Sequence, residues 1–65
     1  MTATIREGRI AELNELMQEW GATRREALLE ILYAFYEAAG FEEDQLSAEL
    51  EVMSDDELME AFLNI

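Results

Sequence analysis

The stretch Thr23–Gly40 has the sequence TRREALLEILYAFYEAAG and decides the fold of the chain. At 100° per residue, Glu26, Glu30, Tyr33 and Glu37 fall on one narrow polar line along a helix. Most of the remaining positions are apolar, so the apolar arc covers most of the helix circumference. One neighbouring helix is too narrow to cover such an arc. Several helices must therefore pack around this one.

The same periodicity predicts which side chains of the central helix form the core. Leu28, Leu32 and Phe35 share one side of the helix, and we expect all three to be almost fully buried. Tyr33 lies on the polar line with the glutamates, so we expect its ring to be exposed. Before this helix, an amphipathic segment carries an apolar face that ends at Trp20, and this face is expected to pack inward.

Local sequence patterns predict the helix boundaries. Thr4–Glu7, Thr23–Glu26 and Ser54–Glu57 each have a Thr or Ser followed three residues later by Glu, which is the pattern of an N-terminal capping box. Gly21 and Gly40 suit the left-handed conformation that ends many helices. The sequence thus predicts an all-α fold, a small bundle of about four helices around a central apolar helix. Residues 1–65 form one domain, with helices near 5–20, 24–39, 43–53 and 55–63.

Composition excludes several classes of function. The chain has 16 acidic residues, four Arg and no Lys, for a formal net charge of -12, and it lacks both His and Cys. Without Cys it has no disulfide and no thiolate metal site, and without His it lacks the usual general base and zinc ligand. Such a charge opposes binding to nucleic acid or anionic membranes, so any partner is expected to present a basic surface.

Catalysis and dedicated metal binding are not expected. Only carboxylates, Tyr and hydroxyl groups remain as reactive side chains, and so small a body has little room for a cleft. The acidic run Asp55-Asp56-Glu57 is followed by no Gly and begins a helix, unlike a calcium-binding EF-hand loop. We therefore predict a non-enzymatic protein without cofactors.

Location can also be predicted. No apolar run approaches the roughly 20 residues that span a bilayer, and no signal-peptide pattern is present. The expectation is a soluble protein of the cytoplasm, which would be the host-cell cytoplasm if the gene belongs to a phage.

Acidic residues are unevenly distributed along the chain. Residues 41–65 contain nine acids and no basic residue, whereas residues 1–40 contain seven acids and four Arg. Acids at helix N-termini favour the helix dipole, but Glu49, Glu51 and Glu60 have no such local role. We predict that the partner-binding surface lies on the acids of the C-terminal half, with a second row on the central helix. The first group is Glu42, Glu43, Asp44, Glu49, Glu51, Asp55, Asp56, Glu57 and Glu60, and the second is Glu26, Glu30, Glu37 and Tyr33.

Rows of glutamate can imitate a phosphate backbone. Neighbouring phosphates on one DNA strand are on the order of 6 Å apart, close to the spacing of side chains one helical turn apart. A protein surface built of Lys and Arg to bind nucleic acid would attract such rows.

A small, Cys-free, strongly acidic helical chain with acids such as Glu12, Glu15 and Glu19, and those from Glu42 to Glu60, resembles the phage-encoded inhibitors of bacterial defence. It is most similar in style to anti-CRISPR proteins that act as DNA mimics. That resemblance implies binding to the nucleic-acid-binding surface of a CRISPR effector complex, with DNA recognition blocked.

A second hypothesis stays open on the sequence. An antitoxin-like or adaptor bundle would instead dock a partner, or a second copy of itself, through apolar and aromatic side chains such as Trp20, Tyr36 and Met59. Because the central helix is apolar around most of its surface, both a monomer and a homodimer are compatible with the pattern.

Overall fold

Four α-helices make up the computed structural model, which describes residues 2–65 and the side chains from Glu7 onward. They are α1 (Thr2–Trp20), α2 (Arg24–Ala38), α3 (Glu43–Leu50) and α4 (Asp55–Leu63), and no strand occurs within these residues. Helix α2 packs against each of the other three, which contact one another less. The all-α prediction and the central position of α2 are confirmed.

Two of the predicted capping boxes are present. The Thr23 hydroxyl accepts a hydrogen bond from the Glu26 amide (3.2 Å), and the Glu26 carboxylate accepts one from the Thr23 amide (3.0 Å). Ser54 and Glu57 make the same reciprocal pair at 3.2 and 2.9 Å. These bonds satisfy backbone N–H groups that have no partner within the helix, and they define where α2 and α4 begin.

Both predicted glycine caps are confirmed. Gly21 and Gly40 have φ of +63° and +101°, a region that glycine enters without a Cβ clash. After Gly40, the Phe41 amide donates to the Tyr36 carbonyl at 3.0 Å, which is the main bond of a Schellman motif. The Phe41 ring packs edge-to-face on Tyr36 at 5.5 Å, as expected for the apolar residue that follows this cap.

Two helix boundaries differ from prediction. Helix α1 begins at Thr2, so Thr4 lies inside it and does not start the helix; the Thr4 side chain and Met1 lie outside the described parts. The capping-box pattern was misleading there because Thr is also tolerated within a helix. Helix α3 ends at Leu50 rather than near residue 53, because the Met53 amide bonds three residues back to the Leu50 carbonyl and Ser54 is already the extended N-cap of α4. The carbonyls of Glu51 and Met53 accept hydrogen bonds from Arg25.

The core forms where α2 faces its three neighbours. Its buried members are Leu13, Ala27, Leu28, Leu32, Leu46, Leu50, Leu58 and Phe62. Leu28 and Leu32 are fully buried as predicted, but the prediction for Phe35 is wrong, since it is 46% exposed. Phe35 points the same way as Leu28 but lies roughly 10 Å further along the axis, where the neighbouring helices leave it partly uncovered. Angular position alone does not bury a side chain.

Candidate protein-binding surface

Every carboxylate in the predicted partner-binding set is exposed on the folded chain. The structure divides these twelve acids into two groups, according to whether the carboxylate has a partner within the described part of the chain. Those with a partner are Glu26, Glu51, Asp55 and Glu57. Their charge is already used to hold the fold, which leaves less of it for an external ligand.

The two capping glutamates are held by backbone amides. The Thr23 amide, and then the Thr23 hydroxyl, lower the pKa of Glu26 from its ordinary value of 4.5. The Ser54 amide and hydroxyl lower the pKa of Glu57 in the same way. Both groups are charged at neutral pH and stabilise the first turns of α2 and α4.

Tyr33 links α2 to the end of α3, which corrects the expectation that its ring would be exposed. The ring is half-buried, and its hydroxyl lies 3.0 Å from Oγ of Ser47 and 3.1 Å from Oε2 of Glu51. Ser47 also donates to the Glu51 carboxylate, and the hydroxyls of Ser47 and Tyr33, in that order, lower the pKa of Glu51. Although Tyr33 lies on the polar line of α2, the line passes close enough to α3 for the ring to be covered.

Two Arg side chains from the N-terminal half bind the acidic C-terminal half. Arg25 donates to Oδ1 of Asp55 at 3.0 Å and to the carbonyls of Met53 and Glu51 at 2.8 and 3.0 Å. Arg9 donates to the main-chain oxygens of Phe62 and Ile65 at 3.2 and 2.6 Å, at the end of α4. Sequence analysis missed both, because the partners are separated by 26 to 56 residues and no local spacing indicates them.

Eight predicted acids have no hydrogen-bond or ion-pair partner among the side chains from Glu7 to Ile65. They are Glu30, Glu37, Glu42, Glu43, Asp44, Glu49, Asp56 and Glu60. Three of them, Glu30 and Glu37 of α2 and Glu43 of α3, line one shallow depression of about 280 Å³ together with Tyr33. The structure thus brings part of the central row next to part of the C-terminal cluster.

A second depression continues this surface toward α1. It has a volume of about 400 Å³ and is lined by Trp20, Ala22, Glu26 and Glu30, so the two depressions share Glu30. We name the surface formed by Glu26, Glu30, Glu37 and Glu43 the α2 acidic face. Trp20 lies at one end of it and is 46% exposed, which contradicts the expectation that the Trp20 end of the α1 face packs inward. At the last residue of α1, this ring extends past the core rather than into it.

Two features of the described residues bear on metal ligands and on membrane-spanning helices. Among the described residues, no three or more acidic side chains come together in a way that could hold a metal ion. Within the same residues, no helix is both long and apolar enough to cross a bilayer. What the α2 acidic face offers chemically is exposed negative charge beside an indole ring.

Comparison with known proteins adds no family. No protein-family model matches the chain, and no curated protein or solved structure gives a significant match. The class defined by the structure is therefore an acidic, all-helical bundle, and its function has to be argued from the surface itself.

Proposed function

We propose that this protein is a non-enzymatic inhibitor whose carboxylates take the place of nucleic-acid phosphates on a basic, DNA-binding surface of another protein. The resemblance to DNA-mimicking anti-CRISPR proteins suggests a complex of bacterial defence as the target. Binding to that surface would exclude DNA from it, without any chemical step.

The observation that carries this proposal is the α2 acidic face. Glu30, Glu37 and Glu43 come from two helices to one concave surface, and none has a partner among the described side chains. Like charges held close together repel one another and cost folding stability. A basic partner would relieve that repulsion on binding, so this arrangement favours a complex over the free protein.

The spacing along α2 supports phosphate mimicry in particular. Glu26 and Glu30 are one turn apart, roughly 6 Å along the helix axis, and Glu37 lies about 10 Å beyond Glu30. Between the last two, the Tyr33 hydroxyl lies 3.1 Å from the Glu51 carboxylate, which also accepts a hydrogen bond from Ser47. Trp20 adds a flat ring on which an Arg guanidinium can stack.

The test first identifies the partner and then measures whether this protein competes with DNA for it. The tagged protein captures its partner from a bacterial lysate with and without nuclease, and the captured protein is then bound to labelled duplex DNA. Adding the acidic protein should displace the DNA. The displacement of DNA should weaken strongly between about 0.05 and 0.5 M salt, because the Debye screening length shortens over that range.

A matched pair of variants separates the α2 acidic face from the general charge. Glu30→Lys with Glu37→Lys changes two carboxylates of the face, and Glu12→Lys with Glu19→Lys changes two exposed carboxylates of α1. Each double substitution takes the net charge from -12 to about -8. We expect the first to abolish displacement of DNA and the second to weaken it only partly. Equal inhibition by both variants and the parent would show that the charge serves solubility alone.

A second candidate function rests on exposed aromatic rings. Trp20, Phe35 and Phe41 are 46%, 46% and 43% exposed, and such side chains often anchor protein interfaces. An antitoxin-like or adaptor module would use them and be nearly indifferent to salt. Binding that survives about 0.5 M salt would favour this function over mimicry.

A further inference from the structure

An apolar groove lies between the end of α2 and helix α3, away from the α2 acidic face. It has a volume of about 140 Å³ and is lined by Tyr36, Phe41, Leu46, Glu49, Leu50 and Met53. Leu46 and Leu50 are 2% and 3% exposed and form its floor, whereas Phe41 is 43% exposed and forms part of its wall. An apolar cavity of about 150 Å³ holds a benzene-sized molecule, so the groove has room for one large apolar side chain.

The wall of the groove is held in place by the chain itself. The Phe41 ring packs on Tyr36 at 5.5 Å, and Tyr36 packs in turn on Phe35 at 5.4 Å, both edge-to-face. The Phe41 amide is fixed by its bond to the Tyr36 carbonyl in the cap of α2. The groove therefore exists before any ligand arrives, which lowers the entropic cost of binding.

The charge around the groove is negative. Glu49 is the one charged side chain in its lining, and Glu42 follows Phe41 directly in the chain. Arg25 binds the carbonyl of Met53, which lines the groove, but this Arg is paired with Asp55 at 3.0 Å. A second copy of the chain would bring another net charge of -12 to this surface, whereas a basic segment would complement it.

We propose that this groove binds a basic amphipathic helix of the partner protein, with one apolar side chain seated in the groove and a neighbouring Lys or Arg against Glu49. The inference rests on the proposed function in one respect only, that the partner is basic. It adds an apolar anchor to an interaction otherwise made by charge. The anchor would slow dissociation, and the charges would speed association.

The probe is a synthetic peptide of roughly 18 residues, or five helical turns, made only of Leu and Lys, with the leucines on one side of the helix. Calorimetry measures its affinity, and NMR follows the methyl groups of Leu46, Leu50 and Met53. We expect binding together with shifts of these methyl signals. A scrambled peptide of the same composition should bind at least about tenfold more weakly, because its leucines do not share a face.

Matched substitutions test the two parts of the groove. Phe41→Ser should weaken peptide binding at least about tenfold, as expected for an interface anchor, while Val52→Ser should change it less than about twofold. Val52 is 80% exposed and does not line the groove. Glu49→Gln should weaken binding about two- to fivefold, the range of an exposed ion pair, and more than Glu60→Gln on α4. Circular dichroism checks that each variant folds. If Phe41→Ser does not fold, the methyl shifts of the unsubstituted protein still test the site.

Several results would overturn the inference. Equal binding of the ordered and scrambled peptides, without shifts of the groove methyl signals, would show that binding is purely electrostatic. This result would reject the groove as a binding site but would not contradict the proposed function. Equal binding of a matched Leu and Glu peptide would show that the partner need not be basic. Self-association that Phe41→Ser abolishes would assign the groove to a second copy of the chain. One further result would support the groove and reject only the proposed function, namely groove shifts with the Leu and Lys peptide but no displacement of DNA in the competition experiment.

Discussion

Arg25 of α2 and Asp55 of α4 form an ion pair at 3.0 Å across 30 residues of sequence. The same guanidinium donates to the carbonyls of Glu51 and Met53, so it binds three points of the turn that joins α3 to α4. A planar fork of donors suits such a task better than the point charge of Lys. This contact holds the acidic half of the chain to the central helix.

Replacing Arg25 should therefore destabilise the fold. Arg25→Met leaves two backbone carbonyls and one carboxylate without their donor, and we expect a loss of about 1–3 kcal/mol in the free energy of unfolding, measured by urea denaturation. Arg24→Met removes the same charge from an exposed side chain with no partner among the described residues. Its effect should stay within about 0.5 kcal/mol. Similar losses for both variants would mean that only net charge matters.

Core substitutions should separate burial from angular position on α2. Leu32 is fully buried, so Leu32→Ala should cost about 2–5 kcal/mol, enough to unfold much of so small a domain. Phe35 lies on the same side but is 46% exposed, so Phe35→Ala should cost clearly less than the about 3–5 kcal/mol typical of a core Phe. Thermal melts followed by circular dichroism rank the two. A larger loss for Phe35→Ala would contradict the packing described above.

Acidification should weaken the fold through three particular carboxylates. The pKa values of Glu26, Glu51 and Glu57 are lowered in the folded state, so the unfolded chain binds protons first as the pH falls. Their stabilisation is complete above the ordinary pKa of 4.5 and is lost as the pH falls through the folded-state values. Replacing all three with Gln keeps an acceptor oxygen but removes the titration. The urea midpoint of this variant should therefore change less between about pH 5 and about pH 3 than that of the parent.

The control for that experiment is a second triple substitution. Glu12→Gln, Glu15→Gln and Glu19→Gln remove the same charge from exposed side chains of α1 that have no partner among the described residues. This variant should keep the acid dependence of the parent. A flattened profile here as well would assign the pH effect to overall repulsion.

Added salt should strengthen self-association, whereas it should weaken binding to a basic partner by phosphate mimicry. Two copies with a net charge of -12 repel each other, so light scattering should find a monomer at low salt, and any dimer should strengthen as salt rises. Exposed Trp20, Phe35 and Phe41 are the side chains available to such a dimer. A dimer that weakens with added salt would instead point to Arg24 pairing with acids across the interface, since Arg25 is paired within its own chain.

The sequence by itself determined the parts of this fold that depend on neighbours a few residues apart. The capping boxes at Thr23 and Ser54 and the glycine caps at Gly21 and Gly40 close bonds within five residues, so local spacing predicts them, although the same spacing at Thr4 does not start a helix. The central place of α2 followed from an apolar arc too wide for one partner. Burial of Leu28 and Leu32 followed from the same helical period.

Only the tertiary structure decided which carboxylates have partners within the chain and which aromatic rings are covered. Asp55 has a partner only because Arg25 approaches from another helix, and Glu51, already bonded to Ser47 of its own helix, is tied to α2 only through Tyr33. Whether Phe35 is covered depends on how far the neighbouring helices extend. The α2 acidic face and the groove beside Phe41 arise in the same way, from residues of different helices brought together. Helical periodicity gives a direction around one axis. It does not say what lies opposite, because that is set by the packing of all the helices at once.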